Sequence, residues 1–294
     1  MSYSPHQQLP TMPQAPRRHQ QVTVALPASL TVDIPHLREK TARIGFIARA
    51  LAIFRIDQVL VYNDQNTDVA RREGRLIEKV LKFQETPPYL RRDLFKVDPE
   101  LAFAGVLPPL RTPHHPDRSD PEPGLVREAV VVSGGPASQV NAGFKELVTV
   151  NGRLEPHARV TVRVRTVRPR LEADIVDPAG LAIYWGPKVN RDDRALGPII
   201  KTGDQDLTLS TSRGGTDVRE AMEQLRAKWR ISRHPLILFG SPSEGILEIL
   251  AKSNSNVSRT DFNLNTIPGQ GVETIRTEEA LLGTLAVLNL LEEP

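Results

Sequence analysis

Short apolar runs alternate with amphipathic stretches at the start of the chain. Val22, Val24 and Leu26 alternate with polar or small residues as in a strand, and Pro27 ends that run. Apolar residues then recur at helical spacing after Asp33 and Pro35. The pattern predicts a strand, a helix, a strand and a second helix, over residues 21–27, 33–54, 59–62 and 68–83.

The middle of the chain has a different pattern. Residues 86–135 are rich in proline and predict no helix. Between about residues 130 and 183, short alternating runs separated by turn residues predict a small all-β barrel or sandwich. The runs cover residues 130–132, 147–150, 160–167 and 175 onward.

After Gly186 the first pattern resumes, and strands alternate again with helices. Such alternation predicts a mostly parallel sheet covered by helices on both faces, so the fold class is α/β with an inserted β segment. The predicted strands and helices are residues 206–210, 217–229, 236–239, 262–266 and 277–291. The predicted divisions are a tail (1–20), a first α/β part (21–90), an inserted barrel (91–185) and a second α/β part (186–294).

Composition limits the possible chemistry. The chain has no cysteine, which excludes disulfides, thiolate zinc sites and cysteine nucleophiles and fits a reducing cytoplasm. Four prolines and few apolar residues predict that residues 1–20 form a disordered tail. No signal peptide or apolar run of membrane-spanning length is present, so we expect a soluble, cytoplasmic protein that does not associate with a membrane. A net charge of only +3 means that attraction to nucleic acid requires local clusters of charge.

Three segments share one design, in which an apolar strand is followed at once by glycine and small polar residues. They are residues 207–215, 236–245 and 265–271. Glycines at the carboxyl ends of parallel strands let the backbone approach a ligand closely, so three such loops predict a ligand crevice. The sequence lacks a dinucleotide fingerprint after a strand, a P-loop and a serine-hydrolase elbow, which argues against those functions.

Two other motifs favour structural roles. Adjacent imidazoles such as His114 and His115 seldom face one metal ion, so packing is the better interpretation and no metal site is predicted. Glu278 and Glu279 follow Thr277 at the start of a predicted helix, where carboxylates suit the first turn better than acid–base catalysis.

Residues 159–165 alternate valine with polar residues. The valines would face a core, and Arg159, Thr161, Arg163 and Arg165 would face outward. Five arginines within residues 159–170, with no acidic residue between them, favour contact with nucleic-acid phosphates over an ordinary solvated face.

The C-terminal segment 265–280, NTIPGQGVETIRTEEA, resembles the signature of the SPOUT family of RNA uridine methyltransferases found in archaea and eukaryotes. Segments 37–55, 88–92, 184–186 and 212–215 add to the resemblance, which covers nearly all of the chain from Gln21 onward. It implies a trefoil-knotted methyltransferase domain, an inserted OB-like barrel and a homodimer. It also implies S-adenosylmethionine as cofactor and a uridine base nitrogen, in ribosomal RNA, as the methyl acceptor.

The resemblance further implies which residues form the sites. Arg276, Arg49 and Asn265 are the expected catalytic residues, the arginines stabilising the uridine anion and Asn265 orienting the base. The expected cofactor-binding residues are Thr211, Ser212, Gly214, Gly240, Gly245, Ile267, Gly269 and Gly271. Apart from the resemblance, Arg38, Arg91 and Arg92 are expected as further RNA contacts beside Arg159, Arg163 and Arg165.

Two alternatives remain open from the sequence. One is an RNA-binding protein that keeps the fold without catalysis, although intact glycines in all three loops argue against a lost cofactor site. The other is a SPOUT methyltransferase that acts on another base, or on a ribose hydroxyl, of transfer or ribosomal RNA.

Overall fold

The computed structural model describes residues 15–117, 120–253 and 260–292. Its strands form a six-stranded sheet and a closed five-stranded barrel. The strands are β1 (Thr23–Pro27), β2 (Gln58–Asn63), β3 (Val126–Ser133), β4 (Ala137–Asn141), β5 (Val148–Asn151), β6 (Arg159–Thr166), β7 (Glu172–Ile175), β8 (Lys188–Ala195), β9 (Leu207–Asp217), β10 (Pro235–Leu238) and β11 (Phe262–Asn265). The helices are α1 (Leu37–Ile53), α2 (Asp68–Glu85), α3 (Arg91–Leu94), α4 (Leu196–Thr202), α5 (Val218–Ile231), α6 (Ile246–Lys252) and α7 (Thr277–Asn289).

The six-stranded sheet is parallel throughout, in the order β11-β9-β10-β1-β2-β8. The predicted parallel α/β sheet is therefore confirmed. Its central strand β1 is buried on both faces: Val24 and Leu26 join the core under α1, α2, α5 and α7, while Ala25 joins a separate core under α4 and α6. Two covered faces explain why β1 is an almost purely apolar run.

The helix starts follow local hydrogen bonding. The side chain of Thr67 accepts a hydrogen bond from the Ala70 backbone N–H and so caps α2. Helix α1 begins only at Leu37, later than the predicted start at Asp33, because Asp33 lies in a turn and accepts a hydrogen bond from Arg43 at 3.0 Å. None of the described helices is long and apolar enough to cross a membrane.

The barrel closes in the strand order β3-β4-β5-β7-β6 around a core rich in valine. In β6, Val162 and Val164 are buried while Arg163 and Arg165 are exposed, as predicted. Thr161 was expected to face outward but is buried, because the first half of β6 packs against the rest of the molecule and Thr161 donates a hydrogen bond to the Glu128 carboxylate.

The barrel strands lie in the chain between β2 and β8 of the sheet, which makes the barrel an insertion between sheet strands. The connection from the sheet to the barrel was expected to contain no helix. The structure instead has the four-residue helix α3 and short 3-10 turns, which satisfy the backbone of this proline-rich segment.

Residues 15–20 belong to the folded part of the chain, which corrects the predicted tail. The Arg17 backbone N–H donates to the Ala182 carbonyl at 2.9 Å, and the Gln20 side chain donates to the Trp229 carbonyl. Arg18 forms an ion pair with Glu292 beyond the end of α7, and Glu292 also pairs with Arg55. Polar anchors therefore order a segment that has too few apolar residues to predict packing. The remainder of the predicted tail, residues 1–14, lies outside the described residues.

Candidate functional site

A cleft opens at the carboxyl edge of the sheet, where β10 and β11 end and β9 bulges. Its volume is about 370 Å³, and small-molecule sites typically enclose on the order of 300–1,000 Å³. It is bordered by the first loop (211–215), the second loop (240–245) and the third loop (266–276). The structure thus brings together the three glycine loops that the sequence predicted to form one crevice.

The first loop bulges out of the ladder between β9 and β11. The two strands pair on either side of residues 211–215, so these residues have no partner in β11. At Gly215 a Cβ atom would lie 2.6 Å from the carbonyl carbon of Leu264, so only glycine lets the strand and the loop pass so closely. The bulge places Thr211, Ser212 and Arg213 at the cleft wall.

Polar bonds fix the shape of the loops. The Asn265 side chain donates to the Arg213 carbonyl at 3.0 Å and accepts from the Ile267 backbone N–H at 3.1 Å, which ties the first loop to the third. In the second loop the Ser241 backbone N–H donates to the Glu244 carbonyl at 2.9 Å, and the Glu244 N–H donates to the Ser241 hydroxyl at 3.0 Å. Hydrogen bonds within and between the loops therefore fix the shape of the cleft.

The backbone conformation of the second loop requires glycine at position 240. A Cβ atom there would lie 2.7 Å from the Glu244 carbonyl oxygen and 3.3 Å from the Gly245 Cα. A larger residue at 240 would therefore distort the loop before any ligand enters.

Three charged residues line the cleft: Arg213, Glu244 and Glu273. Arg213 Nη1 donates to the Glu273 carbonyl at 2.9 Å, so both residues sit at the same side of the opening. Glu244 forms an ion pair with Lys252. Among the described residues that line the cleft, Arg213 is the only lysine or arginine. Arg213 belongs to the 212–215 segment of the family resemblance, and no role was predicted for it from the sequence.

The predicted cofactor residues divide into two groups. Thr211, Ser212, Gly240, Gly245 and Ile267 line the cleft. The other three, Gly214, Gly269 and Gly271, lie in the same loops but are exposed and stand outside the lining.

The predicted catalytic residues are not all together. Asn265 lines the cleft, although both ends of its amide already bond to the loops. Arg276 is exposed and precedes α7, between the lining residues Ile275 and Thr277. Arg49 lies on α1 outside the lining and donates to the carbonyls of Pro109 and Leu110, at 3.2 and 2.6 Å.

The three predicted RNA-contacting arginines of β6 have different surroundings. Arg159 binds the carboxylates of Glu85 and Glu128, so its guanidinium is occupied within the fold. Arg165 is exposed and pairs with Glu172 and Asp174 at 2.8 and 3.2 Å. Arg163 is exposed, and no acidic side chain in the described part of the chain forms an ion pair with its guanidinium.

The other predicted RNA contacts also differ. Arg38 and Arg92 are exposed. Arg91 stacks over the Phe83 ring at 4.7 Å and donates to the carbonyls of Gln84 and Thr86. Arg91 therefore has a clear structural role at the end of α2.

Glu85 lies at the centre of a buried polar cluster. Burial alone would raise its pKa, but hydrogen bonds from His114 and Arg159 and the Arg159 charge lower it to about 2. His114 and His115 both direct Nε2 at the Glu85 carbonyl oxygen, at 2.9 and 2.5 Å, and their rings contact each other. Burial, followed by the neighbouring His114, lowers the pKa of His115 to about 3. Within the described ranges, no three histidine or acidic side chains are placed to share a metal ion.

Comparison with known proteins gives a consistent result. Residues 21–288 match the family described as "Putative RNA methyltransferase". An uncharacterized protein of Halobacterium salinarum is 34% identical over 289 residues, covering 92% of this chain and 99% of its own. The human 28S rRNA (uridine-N(3))-methyltransferase is 34% identical over 300 residues, covering 91% of this chain and 77% of its own. The Drosophila melanogaster protein of the same name is 30% identical, covering 93% and 62%. With a match over nearly its whole length, the chain belongs to this RNA methyltransferase family.

Proposed function

We propose that the chain transfers a methyl group from S-adenosylmethionine to N3 of a uridine in ribosomal RNA. The observation that carries the proposal is the three-loop cleft in a chain of the RNA methyltransferase family. The relatives named for uridine N3 methylation of 28S rRNA support the choice of base and RNA.

The cleft fits S-adenosylmethionine in size and lining. Leu264, Ile267, Phe239 and Ala280 offer an apolar wall for an adenine ring, while hydroxyl and backbone groups of the first two loops offer hydrogen bonds. Thr211, Ser212, Gly240, Gly245 and Ile267 would hold the cofactor. When bound, the cofactor supplies an electrophilic methyl group on a sulfonium.

The acceptor nitrogen must lose its proton, and the developing negative charge spreads over the two uracil carbonyl oxygens. A cation fixed at the cleft would stabilise that charge. Arg213 is held there by its bond to the Glu273 carbonyl and is our first candidate for this role. The exposed Glu273 carboxylate is the candidate acceptor for the N3 proton. Arg276 remains a second candidate cation because its neighbours line the cleft, whereas Arg49 is less favoured.

The fold proposed for the α/β part is the trefoil-knotted SPOUT fold. It is supported by the strand order, in which the chain leaves β10 and passes β9 to place β11 at the edge. The tight passage of Leu264 against Gly215 also supports threading of the C-terminal segment past the first loop. The five-stranded barrel is proposed to be the OB-like RNA-binding part, corresponding to residues 91–185.

A two-fold homodimer is the proposed assembly. Helices α1 and α7 pack together, and apolar side chains are exposed on α1, at Phe46 (44%) and Ile53 (53%), and directly after α7, at Leu290 (70%). Covering such a surface with a second copy removes it from water. Light scattering should give a dimer mass, and Leu290→Asp should shift it toward the monomer.

The test of function is methylation of in vitro transcribed large-subunit rRNA with deuterated-methyl S-adenosylmethionine. The RNA is digested to nucleosides and analysed by chromatography and mass spectrometry. Labelled 3-methyluridine is expected. Labelled 2′-O-methyl nucleosides or another methylated base would favour the second alternative, and RNA binding without any label would favour the non-catalytic one.

A further inference from the structure

A buried ion-pair cluster joins the barrel to the parallel sheet. Glu85 is the last residue of α2 and belongs to the sheet side, whereas Glu128 on β3 and Arg159 on β6 belong to the barrel. Arg159 Nη1 and Nη2 donate to the two carboxylate oxygens of Glu85 at 2.6 and 2.7 Å, and Nε donates to Glu128 Oε2 at 2.7 Å. The guanidinium therefore bridges the two parts of the molecule with a bidentate pair on one side and a third bond on the other.

The second carboxylate is fixed as firmly as the first. Glu128 Oε1 accepts hydrogen bonds from Thr161 Oγ1 at 2.7 Å and from Trp185 Nε1 at 2.5 Å. The Tyr89 hydroxyl donates to the Glu128 carbonyl at 3.0 Å. Trp185 and Tyr89 lie outside the barrel strands, so Glu128 also connects the barrel to the flanking chain.

Two further contacts hold the same interface. The Tyr89 ring packs directly against Gly143 of the barrel, where a Cβ atom would lie 2.6 Å from the ring. The Asn141 side chain donates to the Asp93 carboxylate at 2.6 Å. We refer to Glu85, Tyr89, Glu128, Arg159 and Trp185 as the barrel joint.

The ion pairs of the barrel joint depend on the relative orientation of the two parts. Apolar contacts tolerate sliding, whereas a bidentate guanidinium–carboxylate pair is strong only in one plane and at one separation. Burial increases that requirement because a buried charge that loses its partner is costly. These contacts hold the barrel at one orientation relative to the cleft. The residues of the joint are far in sequence from the three loops of the cleft.

We infer that Arg159 is a positioning residue that sets which nucleotide of a barrel-bound RNA reaches the cleft. The inference rests on the proposed function for its substrate, a uridine in ribosomal RNA. It assigns Arg159 no contact with RNA, in contrast with the role predicted from the sequence. Site choice along the RNA then depends on the angle between barrel and sheet, and not only on the groups that touch the base.

The test compares Arg159→Gln with Arg163→Gln, its exposed neighbour on the same strand. In vitro transcribed large-subunit rRNA is methylated, and methylated uridines are mapped by digestion and mass spectrometry. For Arg159→Gln we expect the ratio of methylation at the preferred uridine to methylation at all other uridines to fall at least 10-fold. Cofactor affinity measured by calorimetry should stay within threefold, and the salt dependence of RNA binding should keep its slope.

Arg163→Gln should behave in the opposite way. Losing a phosphate contact reduces the slope of log K against log salt by roughly 0.7 to 0.9, while the site ratio is unchanged. If Arg159→Gln instead showed that reduced slope with an unchanged ratio, Arg159 would be a phosphate contact and the inference would be wrong. An unchanged slope with an unchanged ratio would equally overturn it.

Hydrogen exchange separates a loosened joint from a general loss of folding. Arg159→Gln should increase exchange around residues 85–90 and 126–131 while leaving β1 and β10 protected. Should that variant fail to fold, Arg159→Lys should show the same changes, because lysine keeps the charge but cannot form the bidentate pair with Glu85. The double variant of Glu85→Gln with Arg159→Gln should partly restore the site ratio. A wild-type chain that makes no 3-methyluridine would refute the proposed function, whereas unchanged exchange at the joint would refute the positioning role.

Discussion

Replacing Glu85 with glutamine removes one buried charge and keeps the size of the side chain. Burial opposes ionisation of Glu85, but the His114 and Arg159 interactions outweigh it and lower its pKa from 4.5 to about 2. At about 1.4 kcal/mol per pH unit, this difference stabilises the folded chain by about 3 kcal/mol at neutral pH. Removing one partner of a buried ion pair costs a similar amount, about 3–5 kcal/mol. We therefore expect Glu85→Gln to lower the free energy of unfolding by about 3 kcal/mol at pH 7.

The direction of the pKa shift determines how this stabilisation changes with pH. Because the pKa of Glu85 is lower in the folded chain, its stabilisation is complete above pH 4.5 and is lost as the pH falls toward about 2. Urea unfolding followed by tryptophan fluorescence measures this well, since Trp185 belongs to the barrel joint and donates a hydrogen bond to the Glu128 carboxylate. The difference between wild type and Glu85→Gln should shrink steadily below pH 4.5.

Glu78→Gln is the matched control on the same helix. Glu78 pairs with Lys82 and Arg191 near the surface, and exposed pairs contribute about 1 kcal/mol or less. If Glu85→Gln lowered the free energy of unfolding by no more than Glu78→Gln at pH 7, the buried pair would add no stability beyond that of a surface pair. If the loss in Glu85→Gln were the same at pH 7 and pH 3, it would not come from ionisation of Glu85.

Three further predictions concern the cleft and the N-terminal segment. Gly215→Ala should lower the melting temperature and weaken cofactor binding, because the added Cβ would meet the backbone of β11. The control Gly214→Ala should fold normally, because its Cβ would meet only the Ser212 hydroxyl, at 3.9 Å. Thermal unfolding and calorimetry check both variants. The rate of single-turnover methyl transfer should fall about 10²–10³-fold in Arg213→Ala, with cofactor affinity retained. The loss of rate in Glu273→Gln should shrink as pH rises, because the uridine N3 then ionises without a base. Arg18→Ala should destabilise the chain by about 2 kcal/mol and increase hydrogen exchange in α7, since Glu292 loses a largely buried partner; unchanged exchange there would contradict this.

The strands that the sequence predicts best are those buried on both faces. Residues of β1, β2 and β10 form apolar runs because helices cover both sides of the sheet. Strand β8 was missed because it is an edge strand, paired with β2 alone, and its sequence KVNRDDRA carries charges that an edge tolerates. Helix α6 was missed because its seven residues are too few to establish a helical period.

The site was predictable where one local pattern repeats, and not where distant segments meet. Glycine after each of three strands indicated a single crevice, and the parallel sheet brings these strand ends together. The bulge that presents Arg213 depends on where β11 pairs with β9, about 50 residues later in the chain. No property of residues 207–217 alone distinguishes a bulge from a regular strand end.

Strand β6 shows how one perfect alternation can serve two purposes. The same pattern of valine and arginine runs through its whole length, but Glu85, 74 residues earlier, covers the Arg159 end and leaves the Arg163 and Arg165 end open. Arg165 is already paired with Glu172 and Asp174, so a phosphate would have to compete with two carboxylates for it. Arg163 is then the residue of β6 best able to release counterions on binding RNA. The sequence predicts three equivalent phosphate contacts on this strand, whereas the fold leaves Arg163 open, pairs Arg165 with two carboxylates and uses Arg159 as a structural anchor, which by our inference orients the barrel that carries the other two.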